Sequence, residues 1–464
     1  MTAIDKTKDL ETKDIKTLLW IYAFPAVVSQ VIASIYNIAD RIFIGQGVGA
    51  LAIAGLAITM PVMNIIHAFG SLIGVGSASR LSIVLGKKDV RWAEKILGNS
   101  TVFTLVLGTT VMAFNYIFLD DILMKFGATA ETVAYAREYM LIVLPGMFLT
   151  TVTFNLTGLI RASGYPAKSM YILAGGAVLN IILDPIFIFG FGWGIAGAAW
   201  ATTISMGTTA IISVAHFISP QSFIRYRKHA WAIKGYILRN ITLIGMSPFL
   251  MNVAAAGVVA ILNNQILHYG GDLYVGAVGI VNTFGNFLVL VILGICQGMQ
   301  PIAGYNYGAG HKKRLKEVYI LTMKVCVLVG FVGSVITCAF PRLLARAFTT
   351  DPTLIEIAVP TMRFFMVMFA LIGFTITNSN FFQSIDKPWI AIVTSLSRQV
   401  IFLAPLSFII PPIFESFGIR GIVGVWSAIT ISDVMGAALA AFLLYTQRHV
   451  FIENKTENPN TIVN

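Results

Sequence analysis

The stretch that decides the fold is YVGAVGIVNTFGNFLVLVILGICQGMQ, residues 274–300, which contains no Asp, Glu, Lys or Arg. A bilayer core about 30 Å thick needs about 20 apolar residues in a helix that rises about 1.5 Å per residue. The stretch is long enough to cross a membrane as a helix. A barrel strand needs only about 9–11 residues of alternating polarity, so we interpret this segment as a transmembrane helix.

The composition of the whole chain has the same character. Of 464 residues, 57% are apolar and 11% are charged, and the mean hydropathy is +0.81. Soluble chains carry roughly 45–50% apolar and about 25% charged residues. This composition excludes a soluble enzyme, a disordered regulator and a disulfide-stapled secreted protein. The three cysteines lie in apolar runs without metal-like spacing, so we interpret them as core or lipid-facing residues.

Eleven further segments meet the same criterion of length and hydropathy. The predicted spans, numbered 1 to 12, are 17–44, 50–79, 96–118, 134–160, 166–190, 194–218, 240–268, 274–300, 317–340, 355–382, 389–411 and 420–446. The sequence therefore predicts an all-α polytopic membrane protein with no room for a large soluble domain. Residues 1–16 are polar and the first apolar run is too long for a signal peptide, so we expect no cleaved leader.

Lys and Arg are concentrated in alternate loops. Most of the 32 Lys and Arg residues fall before span 1, after the even-numbered spans and in the C-terminal tail. We name the side on which these loops lie the basic face. By the positive-inside rule this face and both termini are cytoplasmic, and we expect the protein in the inner or plasma membrane of the cell. The net charge of +11 thus reflects membrane topology, and no nucleic-acid partner is expected.

The second half of the chain repeats the first at an offset of about 224 residues. Residues 194–197 (GIAG) match 421–424 (GIVG), and Pro25 of span 1 falls on Pro248 of span 7. The repeat predicts two pseudo-symmetric six-helix lobes with parallel topology. A cleft between such lobes is the usual place for a transporter's substrate. The alternative is a duplication kept for the fold alone, with the cleft filled by side chains.

The repeat also sets the predicted domain boundaries. The first lobe covers 17–220 and the second covers 240–446, with a basic linker at 221–239 between them. The segment 1–16 precedes the first lobe, and a tail at 447–464 follows the second. We expect the segment, the linker and the tail to be cytoplasmic.

Polar and acidic residues interrupt the spans of the first lobe. A charge near the bilayer centre costs about 2.5–3.5 kcal/mol, so such residues usually have a function. Asp40 lies in span 1, and Asn180 and Asp184 share one face of span 5 because they are four residues apart. Thr202 in span 6 adds a hydroxyl. These oxygens can coordinate a hard cation such as Na⁺, or the two carboxylates can share one proton because like charges repel.

Structural interpretations remain open for the same residues. Asp40 can pair with its neighbour Arg41, and Asp184 can form a structural bond just before Pro185. Pro25 removes a backbone hydrogen bond of span 1 and permits a bend. The bend either responds to ion binding at Asp40 or is static.

The second lobe lacks the acidic chemistry. Asn263 stands where the repeat would place Asp40, so the predicted acidic site is confined to the first lobe. Lys324, Arg398 and Asp433 also lie within predicted spans. For Lys324 and Arg398 we favour a structural role, by pairing with an acid or by extension of the side chain toward the membrane surface.

Four motifs together resemble the MATE family (multidrug and toxic compound extrusion). They are Asp40 followed by GQG at 45–47, the loop at Gly86, RASGYP at 161–166, and Asn180 with the DP pair at 184–185. The likeness extends over about residues 15–445. It implies twelve helices in two lobes and export of organic cations and other drugs in exchange for Na⁺ or H⁺. The chain is similar to the DinF-like branch and its multidrug-efflux relatives, and it departs from the NorM-like branch, whose second-lobe acids are absent.

The resemblance also implies roles for individual residues. The implied cation site, for Na⁺ or H⁺, consists of Asp40, Asn180, Asp184 and Thr202, with Tyr36 and Asn155 as neighbouring polar residues of the substrate cavity and Pro25 as the bending proline. The expected activity is secondary antiport of amphipathic, often cationic drugs by alternating access. We expect a monomer in the lipid bilayer with no cofactor beyond the coupling ion.

Two alternatives belong to other classes of function. One is a flippase for lipid-linked oligosaccharides, from the same superfamily. Such flippases tend to line the cleft with cations for pyrophosphate, whereas the clearest intramembrane pair here is acidic. The other is a channel or a non-transporting membrane scaffold. An enzyme is not expected, because the sequence presents no nucleophile–base set and no metal cluster.

Overall fold

The computed structural model describes residues 7–220 and 222–452 of the chain. Three predicted segments extend outside the described residues, namely positions 1–6 of the N-terminal segment, Gln221 of the linker and positions 453–464 of the tail. Within the described ranges the chain is helical and contains no β-strand. The predicted all-α fold is confirmed.

The helices match the twelve predicted spans. Eleven are long and apolar enough to cross a membrane, and a pair of helices bent by 43° makes the twelfth, span 10. Spans 1 to 6 are Ile15–Gly47, Ala50–Gly86, Val90–Ile117, Val133–Ala162, Pro166–Gly190 and Gly194–Ile218. Spans 7 to 12 are Gly235–Gly270, Asp272–Gly308, Lys312–Ala339, Pro352–Met366 with Phe369–Ser384, Pro388–Ser416 and Gly421–Thr446.

Several helices extend beyond the predicted apolar windows. Span 7 begins at Gly235, inside the stretch predicted as linker, and is 36 residues long. Span 1 begins at Ile15, where the Asp14 carboxylate accepts hydrogen bonds from the backbone N–H groups of Lys16 (3.0 Å) and Thr17 (3.3 Å). Such caps satisfy the free amides of the first turn. Hydropathy marks only the part of a helix that lies in lipid, so helices that continue into water are longer than predicted.

Shorter elements connect or interrupt the spans. The short α-helices are Lys8–Thr12, Leu119–Lys125 and Pro341–Arg346, and the 3₁₀ turns are Lys228–Trp231 and Arg448–Phe451. Two π-helical stretches, Ile186–Gly190 and Ser397–Leu403, lie in spans 5 and 11. The first of them directly follows Asp184 and Pro185, and π-helical turns are frequent at functional sites.

The two lobes have the same internal packing. In the first lobe, span 4 packs against spans 2, 3 and 6, while span 5 packs against spans 1 and 6. In the second lobe, span 10 packs against spans 8, 9 and 12, while span 11 packs against spans 7 and 12. If six is added to the number of each span in the first lobe, the packing pairs of the second lobe result. The predicted pseudo-symmetry of two six-helix lobes is therefore present in the packing.

The interface between the lobes follows the same symmetry. Span 1 packs against span 8, and span 2 packs against spans 7 and 8. Glycines allow close approach at this interface. At Gly245 of span 7, a Cβ atom would overlap sterically with the backbone carbonyl of Leu72 in span 2, and at Gly298 of span 8 it would lie 2.5 Å from Ala23 of span 1. A larger residue at either glycine requires the helices to move apart.

Several close contacts join the two lobes between the basic face and the middle of spans 2 and 7. Near the basic face, Gly308 of span 8 lies against the backbone of Ile83 in span 2. Deeper in the interface, the Phe69 and Phe249 rings of spans 2 and 7 lie 4.9 Å apart between centroids. Asn252, one helical turn beyond Phe249, is already exposed. These close contacts between the lobes therefore lie in the halves of spans 2, 7 and 8 nearer the basic face.

The linker between the lobes is fixed to span 3. The buried Glu94 carboxylate pairs with Arg227 and with His229, each at 2.9 Å. Asn99 accepts a hydrogen bond from the backbone N–H of Lys234 at 2.7 Å. The linker therefore runs along the basic face in a defined conformation.

Candidate ion site in the first lobe

Asn180 and Asp184 lie one turn apart on one face of span 5, and they are 2% and 0% exposed. The Asn180 amide nitrogen donates to Asp184 Oδ1 and to Thr202 Oγ1, each at 3.3 Å. With the amide rotated by half a turn, the nitrogen donates to Asp184 Oδ2 and the oxygen accepts from the Thr202 backbone N–H, again at 3.3 Å. In both orientations Asn180 links the carboxylate of span 5 to span 6.

Asp40 of span 1 completes the acidic site. Its side chain is buried, at 8% exposure, and lies within electrostatic range of the Asp184 carboxylate. The Asp40 Oδ1 atom has no hydrogen-bond partner among the described residues. Arg41 is exposed, and its guanidinium Nη2 lies 3.1 Å from Met60 Sδ. Within the described residues Asp40 and Arg41 form no direct ion pair, but the Arg41 charge lies within electrostatic range of the Asp40 carboxylate, so the structural interpretation of Asp40 stays an alternative.

Two tyrosines face the carboxylates. Tyr36, one turn before Asp40, is within electrostatic range of both aspartates, as is Tyr139 of span 4, which also faces Thr202. Tyr139 is 2% exposed. Tyr139 could not be assigned to the site from the sequence, because it lies on a separate span and no local spacing connects it to Asp40.

Asn155 lies apart from the carboxylates. It is fully buried, accepts a hydrogen bond from Ser77 Oγ at 2.7 Å and donates to Ser100 Oγ (3.3 Å) and Thr104 Oγ1 (3.1 Å). It therefore joins spans 2, 3 and 4. Asn155 is sixteen positions after Tyr139 on the same helix, which corresponds to about 24 Å along its axis. The expectation that Asn155 neighbours the cation site is corrected, because its helix carries it toward the basic face.

Pro25 lies in the part of span 1 that contacts the second lobe. Span 1 continues as one helix through Pro25, and the Pro25 carbonyl accepts a hydrogen bond from Ser29 Oγ at 2.8 Å. The residues on either side of Pro25 pack against Gly294 and Gly298 of span 8. Asp40 is fifteen positions away, or about 22 Å along the helix. A bend at Pro25 would therefore change the lobe interface, and bending stays a prediction.

The second lobe contains a different polar pair. Arg398 Nη1 lies 3.2 Å from Asp433 Oδ1, and Asp433 is 1% exposed. The side chain of Lys324 is exposed, and Asn263 is half-buried. The ion pair between Arg398 and Asp433 agrees with the pairing to an acid that was expected for Arg398.

The geometry of the first lobe defines what the site can do. Spans 1, 5 and 6 contribute two carboxylates, an amide and a hydroxyl, all buried, and this set is the oxygen donor type that Na⁺ prefers. Two buried carboxylates within range of each other are stable only when a cation or a proton offsets their repulsion. The Asp40 oxygen without a partner is available to either ion.

The comparison with known sequences identifies relatives along both lobes. The sequence profile described as MatE matches residues 25–186 and 248–409, which occupy corresponding positions in the two lobes. The multidrug export protein MepA of Staphylococcus haemolyticus is 27% identical over 430 residues, which cover 92% of this chain and 93% of MepA.

Two solved structures have the same fold over nearly the whole chain. One is a transporter of the MOP superfamily from Pyrococcus furiosus Vc1, described as having a binding pocket of reverse polarity that suggests a different function. It superposes with a TM-score of 0.88 at 24% identity and covers 97% of this chain and 98% of its own. The other is described as the outward-facing conformation of a multidrug resistance MATE family transporter. It superposes with a TM-score of 0.89 at 24% identity and the same coverage.

Proposed function

The chain belongs to the MatE family, and from this membership and its buried carboxylate pair we propose that it exports drugs in exchange for a cation. The proposed substrates are amphipathic, often cationic drugs, and the similarity to the multidrug export protein MepA supports drugs as the substrate class. The coupling ion is Na⁺ or H⁺. The protein works as a monomer in the cell membrane, with its basic face and both termini in the cytoplasm.

The observation that carries the proposal is the buried Asp40 carboxylate, whose Oδ1 atom lacks a partner within the described residues. A buried charge without a partner is costly, so this site favours binding of a cation or a proton. Asp184 and Asn180 supply the next oxygens. The site can therefore exist in a loaded and an unloaded form, which a cation-driven carrier requires.

The packing of the lobes supports transport by alternating access. The close contacts between spans 2, 7 and 8 lie toward the basic face, and on the proposed mechanism the cleft is closed there and opens toward the opposite face, which is the outside if the basic face is cytoplasmic. A cation entering from outside reaches Asp40 and Asp184 without crossing the closed interface. A bound cation shifts the equilibrium between the outward-facing and inward-facing conformations only if its affinity differs between them. Relative movement of spans 1, 5 and 6, which supply the oxygens of the site, would change that affinity.

Transport into proteoliposomes tests the coupling. The purified protein is reconstituted with ethidium as the probe, and drug flux is measured under an imposed Na⁺ gradient or an imposed pH gradient with the membrane potential clamped. We expect flux under one of the two gradients. A carboxylate and a bound cation about 4 Å apart attract each other by about 4 kcal/mol at an effective dielectric constant of about 20. Loss of one carboxylate therefore weakens cation binding by up to about three orders of magnitude.

Asp40→Asn and Asp184→Asn should abolish gradient-driven flux while the protein still folds. The matched control is Asp120→Asn, because Asp120 is an exposed acid of the first lobe that pairs with Arg137 at 3.0 Å. Flux retained in both site variants would refute the assigned site. Gradient-independent movement would indicate a channel, movement of a lipid-linked saccharide without drug flux would indicate a flippase, and a folded protein that moves neither would indicate a scaffold.

A further inference from the structure

Charged side chains connect the two lobes on the basic face, far from the ion site. Arg80 of span 2, in the first lobe, lies 2.8 Å from Asp386 Oδ2 in the loop between spans 10 and 11 of the second lobe. The Arg80 guanidinium also donates to the Tyr236 hydroxyl of span 7 at 3.1 Å. The Arg80 side chain is 16% exposed and that of Asp386 is 37% exposed, and charge-assisted hydrogen bonds are among the stronger polar contacts.

The backbone at Asp386 marks this contact as unusual. Asp386 has a φ of +61°, a left-handed conformation that glycine adopts without steric cost and that Asn and Asp adopt more often than other residues. The repeat aligns Asp386 with Gly164, since each lies two residues before the proline that begins span 11 or span 5. Gly164 has a φ of +97°. The same turn therefore carries glycine in the first lobe and a carboxylate, bonded across the interface, in the second.

The N-terminal helix Lys8–Thr12 forms a second connection on the same face. Its Leu10 side chain is fully buried, and the Leu10 carbonyl accepts a hydrogen bond from Arg314 of span 9 at 3.1 Å. The Glu11 carboxylate lies 3.3 Å from both Lys88 Nζ of the first lobe and the Tyr305 hydroxyl of span 8 in the second. This helix therefore contacts both lobes where their interface reaches the basic face.

We infer that Arg80, Asp386 and Tyr236, together with the helix Lys8–Thr12, form a gate that holds the cleft closed on the basic face. The inference rests on the proposed transport by alternating access. Asp386 keeps its left-handed conformation because the carboxylate is needed for the bond to Arg80. The gate must separate for the cleft to open on this face. Arg80 and Asp386 are thus positioning residues, which set the balance between the two conformations without contacting the ion or the drug.

Cysteine accessibility measures this balance without transport. In a background in which Cys296, Cys326 and Cys338 are replaced by Ser, one reporter is Ser82→Cys and the other is Asn252→Cys. Ser82 is 1% exposed and lies against Gly304 of span 8 at the closed end of the interface. Asn252 is exposed at the open end. The rate of labelling with a polyethylene-glycol maleimide is measured on the purified protein in detergent.

Arg80→Gln and Asp386→Asn should each raise labelling of the Ser82→Cys reporter about tenfold, as expected for the loss of one charge-assisted hydrogen bond. Labelling of the Asn252→Cys reporter should not rise. Asp386→Gly keeps the left-handed turn and removes the carboxylate, so it should act like Asp386→Asn. The matched control is Arg137→Gln, which breaks an exposed ion pair within the first lobe and should change neither rate.

Two results would overturn the gate. If Asp386→Gly leaves labelling of the Ser82→Cys reporter unchanged, Asp386 is only a turn residue. If both reporters are labelled faster in the gate variants, the substitutions unfold the protein instead of opening one face. Failure of the proposed function is distinguishable, because a protein that carries no drug in proteoliposomes can still show the one-sided change in labelling.

Discussion

Gly245→Ala tests whether the lobes pack as tightly on the basic half of the membrane as the structure indicates. Gly245 of span 7 faces span 2, and an added Cβ would lie well inside van der Waals contact with the Leu72 carbonyl oxygen. Ordinary contacts between non-bonded heavy atoms are about 3.5 Å. The variant must therefore separate spans 2 and 7 by more than about 1 Å, along an interface that also contains the Phe69 and Phe249 rings.

The magnitude follows from two opposing effects. Overpacking of a tight interface costs typically about 1–3 kcal/mol, while replacing glycine by alanine in a helix gains up to about 1 kcal/mol. We expect a net loss of about 1–2 kcal/mol. For a folding unit of about 150–250 residues, the size of one lobe, this corresponds to a Tm lower by about 2–8 °C.

Thermal unfolding with a thiol-reactive fluorogenic dye measures this change. Cys296 and Cys326 are fully buried and react only when the protein unfolds, and Cys338→Ser removes the partly exposed thiol. The matched control is Gly257→Ala on the same helix, where an added Cβ meets nothing within 4 Å. We expect its Tm to be unchanged or higher. If Gly245→Ala melts like Gly257→Ala, the close contact between spans 2 and 7 is not present in the protein.

Three further substitutions test polar contacts. Asn155→Leu removes the side chain that joins three buried hydroxyls. A buried polar group left unpaired costs about 1–3 kcal/mol, so we expect a lower Tm, and an unchanged Tm would refute the role of Asn155 in joining spans 2, 3 and 4. Arg398→Met leaves Asp433 unpaired and should lower the free energy of unfolding by about 3–5 kcal/mol. The double variant Arg398→Met with Asp433→Leu should recover most of this loss. An equal Tm for the single and double variants would contradict the ion pair. Glu94→Gln removes the charge that holds Arg227 and His229, so trypsin should cleave the linker at least several-fold faster, and unchanged cleavage would show that the linker is held by other contacts.

The sequence predicted the features that depend on local chemistry. Twelve apolar stretches require twelve helices, because a backbone in lipid must satisfy its own hydrogen bonds. The pair of Asn180 and Asp184 followed from a spacing of four residues on one helix, and the structure has the two side chains in contact. The repeat, with Pro25 matching Pro248, predicted the two lobes. Helix ends were less accurate, as at Gly235, because hydropathy does not detect helix that continues into water.

The tertiary structure decided which residues of different helices meet. Asn155 and Tyr139 lie on one span, yet Tyr139 faces the carboxylates and Asn155 joins a separate polar cluster. Arg80 and Asp386 are about 300 positions apart in sequence, and no spacing rule connects them. Periodicity fixes the face of a helix on which a side chain lies, whereas the neighbour of that face depends on how the helices pack. The sequence thus determined the membrane fold and the candidate polar residues of the first lobe, and packing determined which of them lie together.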